Sequence, residues 1–92
     1  MSGLLEMTVW KYAIVLTDTF TIPMPEGYLI LSVQMQYGFP FVWALVNSSN
    51  KLVDVNFRLA GTGHPISEKN LNFIGTFQML EGRFVFHLFE MK

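Results

Sequence analysis

"YLILSVQMQYGFPFVWALV" (residues 28–46) decides the fold. Its first part alternates. Leu29, Leu31, Val33 and Met35 fall on one side, and Ser32, Gln34 and Gln36 fall on the other. A period of two residues is that of an extended strand. "YGFP" (37–40) interrupts the run with glycine and proline and reads as a turn. "FVWALV" (41–46) is then continuously apolar, as a short strand buried on both faces would be. No charged residue lies between Glu26 and Lys51, which raises the possibility of a membrane span. A span needs about 20 mainly apolar residues. Gln34, Gln36, Gly38, Pro40 and Asn47 break this one, so the window is two strands and a turn rather than a transmembrane helix.

The pattern continues outward from there. "VWKYAIVL" (9–16) sets Trp10, Tyr12, Ile14 and Leu16 on one face. "TFTIPM" (19–24) is short, and Pro23 restricts it to a sheet edge or a strand end. "PEG" (25–27) is a turn. On the other side, "NSSN" (47–50) reads as a hairpin-type connection. "LVDVNFRLA" (52–60) points Val53, Val55, Phe57 and Leu59 inward, with Asp54, Asn56 and Arg58 outward. "ISEKN" (66–70) is polar and compatible with one helical turn. "NFIGTFQM" (72–79), the turn "LEG" (80–82) and "RFVFHLFE" (83–90) follow. These segments predict an all-β fold: a small antiparallel β-sandwich or barrel of six to seven strands with little or no helix. Residues 7–92 form the single domain, and residues 1–6 read as an N-terminal extension.

Composition bears on partners. Charged residues are 14% of the chain, against about 25% in ordinary globular domains. Hydrophobic residues are 51% and aromatics 15%. A domain of this size has a large surface relative to its volume. So few charges cover it poorly, and the expectation is a homo-oligomer in which another copy covers apolar surface. The net charge of −1 and the scattered basic residues give no electrostatic case for duplex nucleic acid. There is no cysteine, hence no disulfide framework. The first residues, "MSGLLEM", lack a basic n-region and a long apolar core, so no secretory signal is expected.

The chemistry-bearing candidates are few. "GTGHP" (61–65) offers Gly61 and Gly63 for close backbone approach, with Thr62 and His64 as short polar groups. Backbone N–H groups in such a turn can cradle an anion. Arg58 stands at the base of the loop on the polar face of its strand. These residues are the candidate site for a phosphate or carboxylate; the alternative is a tight corner in which His64 caps a strand end. Trp43 is the first choice among the aromatics for a stacking platform or a subunit boundary. His87 and Glu90 are three apart on a strand, so they face opposite ways and cannot share a metal ion. With two histidines and no cysteine, no metal or other cofactor is expected. No nucleophile elbow, phosphate-binding P-loop or paired carboxylates appear, so the chain reads as a non-enzyme.

Several of these segments form a recognisable set: "VWKY" (9–12), "IPMPEG" (22–27), "ILSVQ" (30–34), "WALV" (43–46), "GTGHPI" (61–66), "IGTF" (74–77) and "FHLFE" (86–90). Together they resemble a family of small proteins of unknown function encoded mainly by bacteriophages and prophages, with GTGHP as the sharpest element. The resemblance implies a phage-encoded accessory protein in the bacterial cytoplasm. Short oligomeric β proteins of phages include inhibitors of host defence, some of which sequester nucleotide immune signals without chemistry. A module that docks on a host defence or virion protein is the alternative.

Overall fold

The computed structural model of the chain describes residues 6–92, so most of the expected extension (1–6) lies outside the described residues. Seven strands follow in order: β1 (Met7–Ala13), β2 (Thr19–Pro25), β3 (Leu29–Gln36), β4 (Phe39–Asn47), β5 (Leu52–Gly61), β6 (Leu71–Met79) and β7 (Phe84–Met91). They form a three-stranded sheet, β1–β4–β3, and a four-stranded sheet, β2–β5–β7–β6. Every neighbouring pair is antiparallel. The two sheets do not close into a barrel, so the architecture is a small sandwich. β2 is an edge strand, as Pro23 requires, since proline cannot donate to a central ladder.

Turn chemistry fixes the two hairpins. β3 and β4 are joined through Tyr37 and Gly38, both with positive φ (52° and 81°), the backbone of a two-residue type I′ turn. β6 and β7 are joined through residues 80–83, where Leu80, Glu81 and Gly82 all have positive φ. The NSSN segment, read as hairpin-type, is not one. It carries the chain from β4 in one sheet to β5 in the other. The PEG turn makes a second such switch from β2 to β3, and the two corners are tied together. The N–H of Glu26 donates to the Lys51 carbonyl at 2.8 Å, and the Asn50 side-chain amide donates to the Glu26 carbonyl at 2.8 Å. Polar corner residues therefore serve each other's backbone instead of closing one ladder.

The core draws from both sheets: Val33, Val42, Ala44 and Val46 from one, and Ile22, Met24, Val55, Phe57, Leu59, Phe77 and Leu88 from the other. Three strand phases differ from expectation. In β3, a bulge between Ile30 and Ser32 shifts the alternation. Leu29 and Leu31 are consequently exposed (57% and 48%), while Ile30 packs against the core beside Val33 and Met35. In and after β1, Tyr12 and Ile14 reach the core, but Trp10 and Leu16 remain exposed. In β4, only one face is buried; Phe41, Trp43 and Leu45 on the other face are half-buried. The expected helical turn at 66–70 is absent. None of the described residues is helical, so no helix is long and apolar enough to cross a membrane.

At one side of the sandwich the edges of the two sheets approach closely. A Cβ on Gly75 of β6 would lie 2.6 Å from Val33 Cγ1 of β3. Only a glycine lets β6 pass β3 at this distance.

Candidate functional site

The site grows from the end of β5. Because β7 lies between β5 and β6, the chain leaving Gly61 must cross β7 to enter β6 at Leu71. Residues 62–70 make that crossing, and they cover the outward side of β5. Arg58 and Ala60, which alternation turns outward, are therefore buried at 8% and 3% exposure. Arg58 clasps the crossing. Its Nε donates to Glu68 at 2.9 Å, one terminal nitrogen donates to the Pro65 carbonyl at 3.2 Å, and the other donates to the Leu59 carbonyl at 2.6 Å. The guanidinium beside Glu68 holds its carboxyl below the usual carboxylate range. Arg58 is thus committed to holding the loop.

A second clip fixes the start of the crossing. The His87 ring stands between two hydroxyls: Thr62 Oγ1 is 2.7 Å from Nε2, and Thr76 Oγ1 is 2.8 Å from Nδ1. In either neutral tautomer one nitrogen donates and the other accepts, so both threonines are satisfied. The imidazole binds β6, β7 and the loop together, with both ring nitrogens in use. Among the described residues no three His, Asp or Glu side chains gather as a metal site.

The GTGH residues meet the start of β7. Thr62 N–H donates to the Val85 carbonyl at 3.1 Å, and His64 N–H donates to the Gly61 carbonyl at 3.1 Å. Two of the amides expected to cradle an anion are therefore spent on backbone carbonyls. Gly63, at φ 86°, has open space around it. The His64 ring lies directly on Gly61: a Cβ there would be 3.0 Å from ring atoms Cε1 and Nδ1. On the same side stands Phe86, the cross-strand partner of Gly61.

The result is a cleft of about 230 Å³ lined by Gly61, Thr62, His64, Arg83, Val85 and the rings of Phe84 and Phe86. Arg83 has no ion pair and no side-chain hydrogen bond among the described residues. Phe84 and Phe86 are near-parallel (17°), 6.4 Å apart, and Phe84 is 51% exposed. Beyond them lies a wholly apolar cleft of about 290 Å³, which Leu16, Met79 and Leu80 line with the same two rings.

Of the sequence candidates, Gly61, Thr62 and His64 line the cleft, with Gly63 between them, while Arg58 lies outside it. Trp43 is on the other sheet. It sits on that sheet's outer face beside Phe41, and the Lys11 ammonium lies 4.7 Å from the Phe41 ring centroid and 5.7 Å from that of Trp43. One chain cannot bring Trp43 to the loop. Arg83 and the Phe84–Phe86 pair were missed by sequence reading. Their signal is topological: once β7 pairs beside β5, the first residues of β7 must neighbour the last of β5.

A family profile described as a domain of unknown function, DUF7352, matches residues 6–92. The chain belongs to the DUF7352 family. No curated protein and no solved structure matches it. For this DUF7352 chain, the span of the match coincides with the described sandwich.

Proposed function

We propose that this DUF7352 chain is a non-catalytic, oligomeric binding protein that takes a small anionic ligand in the cleft beside Gly61, Thr62 and His64. The observation that carries the reading is Arg83: a cation without a partner among the described residues, at a cleft walled by two aromatic rings. A guanidinium binds phosphate or carboxylate oxygens bidentately. Phe84 offers a face on which a base can stack. His64 adds a hydrogen bond at the same wall. A nucleotide meets all three groups at once, in keeping with a phage accessory protein that sequesters a host nucleotide signal in the bacterial cytoplasm. The role first given to Arg58 passes to Arg83, and the aromatic role passes from Trp43 to Phe84.

Thermal shift with a nucleotide panel tests the reading. At ~100 times Kd a ligand adds about 2.7 kcal/mol, enough to raise Tm by about 10 °C or more in a domain of this size. Arg83→Ala removes the shift while leaving the unliganded Tm within a few degrees. A flat response of the wild-type protein across the panel overturns the reading, and a shift that survives Arg83→Ala overturns the site. Ligand recovered intact after denaturation excludes a hydrolase.

A second reading is an interaction module that docks on a host defence or virion protein. The apolar outer face of the β1–β4–β3 sheet favours it. A flat panel with one partner recovered by pull-down supports this reading.

A further inference from the structure

The two clefts that meet at Phe84 and Phe86 differ in kind. One, of about 230 Å³, holds Arg83, Thr62 and His64. The other, of about 290 Å³, is lined by Leu16, Met79 and Leu80 with the same two rings, and no polar atom faces it. The strand register shows why the second stands open. Gly61, Phe86 and Phe77 form a row across β5, β7 and β6, and Phe84 and Met79 form the next row toward the β6–β7 turn. Alternation puts both rows on the side that faces the other sheet. Phe77 is buried in the core, and Phe86 and Met79 pack against it. No residue of the β1–β4–β3 sheet lines this cleft; Leu16, from the connection between β1 and β2, is the one lining residue outside β6, β7 and their turn. Core-facing side chains are therefore left short of cover here, with Leu16, Leu80 and Phe84 at 51%, 63% and 51% exposure.

We infer that the ligand of this site is an amphipathic acid, with a carboxylate or phosphate head at Arg83 and a hydrocarbon part that enters the apolar cleft over Phe84 and Phe86. The inference rests on the anion-binding part of the proposed function and adds what the rest of the ligand is made of. Charge selects the head. Arg83 makes no ion pair among the described residues, and Glu81, which shares a further cleft with it, is not bonded to it. A guanidinium in that position favours an acid. Chemistry selects the tail. The edge of a base or a sugar hydroxyl buried in the second cleft would give up its hydrogen bonds to water and find no replacement. A hydrocarbon group loses nothing there and continues the core outward. Size fits the two parts together. Each cleft alone falls short of the ~300 Å³ at which small-molecule sites begin, and the two taken together around the shared rings enter that range.

Calorimetric titration of the full chain with straight-chain carboxylates from butyrate to octanoate tests this, with the methyl resonance of Met79 as a local reporter. Each methylene that enters the cleft tightens binding up to about fourfold, so octanoate binds roughly 100-fold more tightly than butyrate. The Met79 methyl resonance shifts with octanoate and stays in place with butyrate. Leu16→Asn/Leu80→Asn changes two exposed side chains without changing charge, and asparagine suits the positive φ of Leu80 (52°). This variant keeps the far-UV spectrum of the sandwich and the affinity for butyrate, and it cuts the octanoate advantage at least tenfold. Arg83→Ala weakens octanoate at least tenfold. Nucleotide or butyrate binding that depends on Arg83, with no gain along the carboxylate series, overturns this inference and leaves the anion site standing. No binding of any acid, with a flat nucleotide panel, overturns both. A chain-length gain that persists in the double variant, or leaves the Met79 resonance unmoved, puts the hydrocarbon elsewhere and overturns the inference. Octanoate binding untouched by Arg83→Ala does the same for the head.

Discussion

Arg58 spends its guanidinium on Glu68 and on the carbonyls of Pro65 and Leu59, and the crossing segment 62–70 hangs on those bonds. Arg58→Met keeps the stem and removes the bonds. It should cost about 2 kcal/mol, since several hydrogen bonds are lost, one of them to a charge. Urea unfolding measures that loss, and hydrogen exchange should localise the loosened amides to 62–70. The Glu68 partner adds a pH signature of known sign. Its carboxyl is held below the ordinary value by Arg58, so its contribution is complete above that value and is lost as pH falls through the folded one. Glu68→Gln should therefore unfold at a lower temperature than wild type at pH 7, and the two melting curves should draw together as pH falls below the ordinary glutamate range. Strand alternation correctly placed Arg58 on the outward face of β5. It contains nothing about which segment lies over that face, and that decides whether an outward arginine meets a ligand or a loop. Gly61 and His64 were legible as a specific corner because glycine and X-Pro carry their own backbone constraints. Arg83 carries none, and its place beside that corner depends on strand order.

The elements separate along the same line. The Tyr37–Gly38 hairpin follows from local turn chemistry, and the strands follow from their alternation. The PEG and NSSN corners have the composition of hairpin turns, but they switch sheets, because what distinguishes them is a hydrogen bond between corners 24 residues apart. In β3, one extra residue turned Leu29 and Leu31 outward and drew Ile30 in. A period-two reading holds only while no bulge intervenes. The contact between β3 and β6 gives a quantitative test. Replacing glycine by alanine within a strand ordinarily stabilises, by roughly 0.5–1 kcal/mol. At Gly75 the new methyl would lie 2.6 Å from Val33 Cγ1, so Gly75→Ala should instead cost about 1–3 kcal/mol. Val33→Ala alone leaves a cavity and should cost about 1–2 kcal/mol. The double variant should cost at least 1 kcal/mol less than the sum of the two, because each change relieves the other. Strict additivity in urea unfolding would show that the sheets do not meet there.

Across the whole molecule, extents of 50 × 31 × 16 Å describe a flat body with two broad outer faces, one crossed by residues 62–70 and one left apolar. A polar bond links the sheets at the rim: the Tyr28 hydroxyl, at the entry to β3, donates to the Glu90 carboxylate near the end of β7. Burial, that hydrogen bond and the neighbouring negative charge together push the Tyr28 phenol up to about 12 from its ordinary 10.0. The sign follows from proton binding. Above pH 10 the unfolded chain gives up the phenolic proton while the folded chain keeps it, so stability is complete below about pH 10 and falls as pH rises toward about 12. Tyr12, whose phenol is also raised by burial, steepens the same limb. Tyr28→Phe should lower stability at pH 8 by about 1–2 kcal/mol through the lost bond to a carboxylate. Its alkaline limb should be shallower, because only Tyr12 remains to titrate upward. Circular-dichroism melts from pH 8 to 12 should therefore show the wild-type advantage shrinking steadily above pH 10. Two limbs that stay parallel over that range would mean the sheets are not joined through this phenol.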